Sequence, residues 1–353
     1  MNTVEQYKDL FRSAFEESQG WTGWFFSEVF RPEYLRVLPD VSVNGRVVSA
    51  LLSVPYKMNY SGVVLPVDYI CGVATAPQAR GKGRMTELMR MTLDEAQRSG
   101  SVLSVLIPAT RRLYFFYDSF GFSTVFYADE ERYTSVHDFN GHTDSIVEKD
   151  PDFDTFRRLE RQAGASVLHS SDDFRHVLAD IAMDGGRVAA VGDSLTGDAA
   201  MAFAVGRSDG TVLVKTLLAE SEKAADAVLA LLRQYFGERP FLVMRPPVSG
   251  MRARMRTRGM LRINDVERLL GALAAVYPSL KTCIRVSDPL IVANNGCFNV
   301  SDGFCRRADR PVKRVPDYDI DVGILARLVF GSPALSQVTG IPAVRPWMSL
   351  MLD

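Results

Sequence analysis

The sequence predicts an α/β protein of more than one domain, and three observations carry that prediction. Residues 69–86 read as strand, glycine turn and helix start in unbroken succession. The order strand, helix, strand occurs twice, around residues 63–107 and again around 211–245. At 353 residues the chain exceeds what one hydrophobic core usually holds, so two or three domains are expected.

The elements follow from local patterns. Val4, Tyr7, Leu10, Phe11, Ala14 and Phe15 mark one face of an opening helix, and Trp21–Phe30 continues as a second, aromatic-rich helix whose Trp24, Phe25 and Phe26 read first as core packing. Tyr34–Leu38, Val41–Val43 and Arg46–Val54 read as strands, with Asn44-Gly45 as a hairpin turn. Val63–Thr75 is the strand that enters the glycine turn, and Pro77 stops it. Met85, Leu88, Met89 and Leu93 then give the apolar face of a helix over Arg84–Arg98. A strand at Ser101–Ile107, a helix within Leu113–Phe122 and a strand to about Val136 complete the unit. The polar, acidic stretch Thr143–Asp152, broken by Asp150-Pro151, sets the first domain at 1–145.

In the second domain, 146–258, helices are expected at Phe153–Ala163, Asp172–Ile181 and Ala224–Phe236. Strands are expected at Arg187–Val191, Ala199–Gly206, Thr211–Leu218 and Phe241–Arg245. Where a second glycine turn would stand, the chain reads Leu218-Ala219-Glu220-Ser221-Glu222-Lys223, without glycine and with carboxylates that repel phosphate. His169 and His176 lie in polar segments without a partner motif and read as structural. The third domain, 259–353, holds a helix at Asn264–Val276 capped by Asp265, strand-like runs at Thr282–Val286, Leu290–Ala293 and Cys297–Val300, and a helix at Asp321–Phe330.

Bulk properties narrow the function. With 41 basic and 42 acidic residues the net charge is −1, so no overall field favours nucleic acid or an anionic membrane, and a small partner is expected. Cys71, Cys283, Cys297 and Cys305 show neither Cys-x-x-Cys spacing nor a neighbouring histidine, which argues for reduced thiols and against a metal. Met1–Gly20 lacks a basic start and apolar run, and no apolar segment is long enough to span a bilayer, so cytoplasmic residence is the expectation.

The glycine turn has a chemical use. The first N–H groups of a helix have no intrahelical acceptor and lie at the positive end of its dipole, so they attract phosphate. Gly81 and Gly83 would let an anion reach bare backbone, and Arg80, Lys82 and Arg84 add positive charge around it. A Walker loop is excluded because Gly83 is followed by Arg84 rather than Lys-Ser or Lys-Thr, and a dinucleotide loop because position 86 is Thr86.

The order Gln78-x-x-Gly81-x-Gly83 after Val73-Ala74-Thr75 resembles the pyrophosphate loop of the GNAT N-acetyltransferase superfamily. Tyr117-Asp118-Ser119-Phe120-Gly121-Phe122 resembles the segment that closes the same superfamily's acyl-CoA site. Over its whole length the chain resembles acetyltransferases of the enhanced-intracellular-survival type: tandem GNAT-like domains, only the first with the loop, then a sterol-carrier-protein-like α+β domain carrying Met260–Val266 and Ile324–Gly331.

That resemblance implies acetyl transfer from acetyl-CoA to a primary amine, a polyamine, aminoglycoside or lysine-type acceptor, by direct attack in a ternary complex. It implies that Val73, Ala74 and Thr75 pair with the pantetheine arm, and that Gln78, Arg80, Gly81, Lys82, Gly83, Arg84, Met85 and Thr86 surround the pyrophosphate. Tyr117 would be the general acid, with Tyr114 as its competitor, and the terminal carboxylate of Asp353 the base, with Asp68 the runner-up. Trp24 and Phe25 would border the acceptor, and a homo-oligomer is implied. Thr110-Arg111-Arg112 departs from the family by being basic where mycobacterial members are acidic and glycine-rich. Cys71, in an apolar strand, is no activated nucleophile. The competing expectation is a binding protein that holds acyl-CoA or lipid without turnover.

Overall fold

Helix α1 (Thr3–Ala14) starts where the Asn2 side chain accepts from Glu5 N at 2.9 Å, and it buries Tyr7, Leu10 and Phe11. The structure, a computed structural model, describes residues 2–40, 45–139, 145–247, 255–308 and 315–352. The expected strand Val41–Val43, Asn44 and Asp353 lie outside these. Helix α2 (Gln19–Trp24), capped by Ser18, runs into one π-helical turn, Phe25–Val29. Strands β1 (Leu35–Asp40), β2 (Arg46–Tyr60) and β3 (Val63–Thr75) form an antiparallel meander. Helix α3 (Arg84–Arg98) then crosses over to β4 (Leu103–Leu106), parallel to β3, and α4 (Arg111–Asp118) leads to β5 (Ser123–Tyr133).

The middle of the chain repeats that plan after a short lead-in. Strand β6 (Ile146–Lys149), helix α5 (Phe153–Glu160), β7 (Ala165–Leu168) and α6 (Ser171–Met183) precede β8 (Arg187–Asp193), β9 (Ala199–Gly206) and β10 (Val212–Ala219). Helix α7 (Glu222–Phe236) then crosses over to β11 (Phe241–Arg245), parallel to β10. The remainder holds β12 (Met255–Ile263), α8 (Val266–Val276), β13 (Thr282–Ser287), β14 (Gly296–Ser301), β15 (Phe304–Arg307), β16 (Tyr318–Asp321), α9 (Val322–Val329), α10 (Pro333–Thr339) and the short β17 (Pro346–Trp347). The expected strand Leu290–Ala293 is instead a loop ending in a 3-10 turn, Val292–Asn294. Asp288 Oδ1 takes the N–H groups of Leu290 and Ile291 at 2.9 and 3.2 Å, which curls the backbone away from extension.

Two compact units result: residues up to Val125 with Gly259–Val344, and Phe126–Arg258 with Arg345–Leu352. The expected cuts at 145 and 258 differ from this grouping for a definite reason. From Phe126 onward β5 belongs to the second unit, where Asp129–Tyr133 pair antiparallel with β11, while Met260–Ile263 of β12 pair antiparallel with β4 in the first. Each crossover motif thus takes its flanking strand from the far half of the chain.

In the first unit, Leu88, Met89 and Leu93 of α3 pack with Ile70, Leu106, Tyr117, Phe120, Phe122 and Met260. The tail contributes a separate sheet, ordered β15-β14-β13-β16, to the same unit. The fully buried Arg262 on β12 places Nη2 3.0 and 2.8 Å from the two Asp288 oxygens. Its Nη1 would lie 2.6 Å from a Cβ on Gly121, whose φ is +81°. The glycine of the Phe120-Gly121-Phe122 turn is therefore required both for its backbone angle and for the space the guanidinium occupies.

Candidate active site

The opening begins with a mismatch in strand pairing. Strand β3 stays paired with β2 to Thr75, yet its parallel pairing with β4 ends at Ile70 opposite Leu106. From Gly72 to Thr75 the edge that faced β4 is paired with no strand among the described residues, which makes a place for an extended ligand. A register shift between Ala50 and Leu52 bends β3 at this point, at Gly72, whose φ is +57°. A Cβ there would stand 2.4 Å from Tyr7 Oη, which donates to the Gly72 carbonyl at 3.4 Å. Gly72 and Tyr7 are site-shaping residues that the motif reading omits; the signal for the first was a glycine inside a strand pattern.

The freed strand leads into the glycine turn. After a 3-10 turn over Pro77–Ala79, Gly81 and Gly83 adopt φ of +72° and +74°, both are exposed, and nothing lies within 4 Å of either Cβ position. Gly83 is the N-cap of α3. Its carbonyl accepts from Glu87 N at 3.0 Å, but it has no side chain to cap the first turn of the helix, Arg84–Thr86, which is half-buried. Gln78, Arg80 and Lys82 are exposed beside them, and Arg84 is half-buried with Glu87 3.5 Å away. Arg80 Nε donates to the Thr75 carbonyl at 3.0 Å, tying the turn back to the strand end.

Tyr117 is brought to this place and Asp68 is not. The Tyr117 ring, 4% exposed, shares one apolar cluster with Val73 and Met85, and packs edge-on against Phe116 and Phe122 at 5.2 and 6.0 Å. Burial, with a smaller contribution from the neighbouring Cys71, pushes its phenol up to about 12. Tyr114 is half-buried at the margin of the same cluster. Asp68 instead meets Ser53, Arg36 and Glu95. Glu95 lies in the last turn of α3, roughly 16 Å along the axis from Arg84 at about 1.5 Å per residue. Burial raises the Asp68 pKa against the opposing pull of Ser53 and Arg36, at the end of the helix remote from the glycine turn. Phe25 is a core residue rather than a wall: 4% exposed, it stacks on Phe11 and Trp21 with ring centroids 5.6 and 5.1 Å apart. Trp24 stays half-buried at the edge of that cluster, which also includes Cys71.

The second unit shows the same splay with its helix end closed. Strand β10 pairs with β11 only through Val214, shifts register at Lys215 and continues along β9 to Ala219. Here Ser221 caps Ala224 N, Glu222 forms a two-pronged pair with Arg245 at 2.7 and 2.9 Å, and Glu220 pairs with Arg158 and accepts from Ala199 N. The chain's own side chains occupy the position that the first unit leaves open.

Residues 2–125 match the family model of the acetyltransferase (GNAT) domain, and that segment is a GNAT domain, of the class that passes an acyl group from acyl-CoA to an amine. Solved structures extend the likeness of fold over nearly the whole chain. A GCN5-related N-acetyltransferase from Anabaena variabilis superposes with a TM-score of 0.75 at 17% identity, covering 98% of this chain and 96% of that one. One from Kribbella flavida gives 0.71 at 20% identity, covering 98% and 96%. Eis1 from Mycobacterium abscessus gives 0.70 at 17% identity, covering 98% and 92%, in line with the resemblance that the sequence carries. No curated protein matches by sequence. Among the described residues, no three or more His, Cys, Asp or Glu side chains converge as metal ligands, and no single helix is long and apolar enough to cross a membrane.

Proposed function

We propose that the chain is an N-acetyltransferase that moves acetyl from acetyl-CoA to a primary amine by direct attack in a ternary complex. The observation that carries this reading is the run of β3 from Gly72 to Thr75, beyond its pairing with β4, into a helix start at Gly83 that has no side-chain cap. Val73, Ala74 and Thr75 would pair with the pantetheine arm, and the N–H groups from Gly81 to Thr86 would take the diphosphate, with Gln78, Arg80, Lys82 and Arg84 around it. A phenol held near 12 keeps its proton at neutral pH and can give it to the departing thiolate. The amine's own proton would go to the terminal carboxylate at Asp353 or to water. Trp24 is kept as a candidate contact for the acceptor, whose chemistry we place among polyamines, aminoglycosides and lysine side chains.

The three sequence modules 1–145, 146–258 and 259–353 are part of this proposal, as is a sterol-carrier-like origin for the last; the two compact units cut across them through the exchanged strands. In the tail the sheet's inner residues Ile284, Val286, Phe298 and Val300 are 0–2% exposed, which favours a structural part for it over a lipid groove. Four unbridged cysteines support a cytoplasmic setting, and a homo-oligomer is tested by light scattering. The activity itself is tested by incubating the protein with acetyl-CoA and a panel of these amines while following free thiol. Amine-dependent thiol release is expected, and none above background with any acceptor contradicts the catalytic reading in favour of simple coenzyme binding.

A further inference from the structure

The second unit buries a histidine that the transfer chemistry does not use. His169 sits between β7 and α6 with its ring fully enclosed. Its Nδ1 lies 2.6 Å from Glu160 Oε1, its backbone N–H donates to Glu160 Oε2 at 3.0 Å, and its Nε2 lies 3.3 Å from the carbonyl oxygen of Leu350. Leu350 belongs to a strap, residues 345–352, that lies on this unit far in sequence from its neighbours. The strap pairs Pro346 and Trp347 with Ala165 and Ser166 of β7, and Trp347, Met348, Ser349 and Met351 are all buried. Leu350 itself adopts φ +55°, a left-handed conformation that a leucine keeps only when its surroundings impose it.

A carbonyl oxygen can only accept, so the Leu350 contact requires a proton on Nε2. Two arrangements supply it: an imidazolium beside an ionised Glu160, or a neutral ring with its proton on Nε2 that accepts from a protonated Glu160. Both hold two protons on the pair. When one proton leaves, Glu160 is ionised and the remaining ring proton turns to it on Nδ1, which sets the Nε2 lone pair against the Leu350 oxygen. We propose that Glu160 and His169 form a proton-dependent latch for the strap 345–352, closed while the pair keeps two protons and opened by the loss of one.

The charges that face the ring are Glu160 on α5 and Asp173 on α6, while the strap presents the Leu350 carbonyl dipole. Burial lowers the imidazole pKa, but Glu160 and then Asp173 more than offset it, and the net shift is upward. Glu160 and Asp173 stay beside the ring whether or not the strap is docked, so the latch draws only on the smaller upward contribution of the Leu350 carbonyl, which is present while Nε2 keeps its proton. It weakens as the pH rises through the raised pKa of the docked ring.

The test is hydrogen exchange followed by mass spectrometry, corrected for intrinsic rates, on peptides spanning 345–352 between about pH 6 and 9, with β9 peptides as the internal reference. In the wild type, strap protection should fall several-fold relative to β9 across this range. In Glu160→Gln the amide oxygen can still take the His169 N–H while its NH2 donates to Nδ1, which fixes the proton on Nε2 without a titrating partner. That variant should hold the strap at high pH with the decline removed. Wild-type protection that stays level with pH, or an undiminished decline in Glu160→Gln, overturns the latch. His169→Phe should expose the strap at every pH; if it does not fold, the wild-type series and Glu160→Gln decide the matter between them.

Discussion

Replacing Tyr117 by Phe removes one oxygen from a ring that the structure holds on every side. The ring is 4% exposed between Phe116 and Phe122, so phenylalanine fills the same space, and stability should change by less than about 1.5 kcal/mol. Coenzyme affinity should stay within about twofold, because the proposed contacts to acetyl-CoA come from β3 and the start of α3. If the phenol is the acid, kcat should drop roughly 10²–10⁴-fold, about 2.7–5.4 kcal/mol of transition-state stabilisation. The phenol at about 12 also fixes a pH signature. Its folded-state pKa lies above the unfolded value near 10, so its contribution to stability is complete below pH 10 and is lost as pH rises from there toward 12. For the same reason wild-type kcat should show no alkaline loss from this group up to pH 10. Stopped assays of thiol release over pH 6–10, with urea denaturation of both proteins, measure each quantity. A Tyr117→Phe protein with undiminished kcat, or a wild-type decline centred near pH 9 that vanishes in the variant, refutes the assignment.

Other substitutions probe the frame. Gly83→Ala places a methyl in open space at φ +74°, so it should cost only about 1–2 kcal/mol of stability yet weaken coenzyme binding about tenfold or more; an unchanged calorimetric Kd in a folded protein contradicts the turn's role. Gly72→Ala drives a Cβ to within 2.4 Å of Tyr7 Oη and should lower stability by about 1–3 kcal/mol, part of which Tyr7→Phe restores. Additive effects in that double-mutant cycle, followed by thermal melting, remove the bulge argument. Asp288→Leu strands the enclosed Arg262 guanidinium and should cost about 3–5 kcal/mol by urea denaturation, while adding Arg262→Met should recover only part of it, because Leu290, Ile291 and Asn294 still lack their acceptor. A single-mutant loss below about 1 kcal/mol shows that the pair is not holding the Gly121 turn.

Local signals made much of this molecule legible. The bounds of β3 and α3 follow residue for residue from alternation, Pro77, the glycines and the apolar face of the helix, and β9 and β11 match in the same way. Long-range geometry was not legible. Nothing in Met255–Ile263 announces a strand, since its Arg256 and Arg258 look like solvated surface, and only the pairing with β4 and the enclosure of Arg262 reveal its place. A two-residue strand such as β17 has no periodicity to read at all. An aromatic run cannot say which ring faces a pocket, so Phe25 reads first as core with a wall as the second reading, and its stacking on Phe11 and Trp21 decides for the core. The same limit separates Tyr117 from Asp68: both stand near the motif in sequence, but only the packing of α3 shows them at different ends of it.

The most direct test of the account is a structure of the protein soaked with acetyl-CoA. It should show the diphosphate against Gly81 and Gly83 on the N–H groups of Arg84–Thr86, with the pantetheine arm laid along Val73–Thr75. Coenzyme bound anywhere else, or none at a saturating concentration in well-ordered crystals, contradicts it.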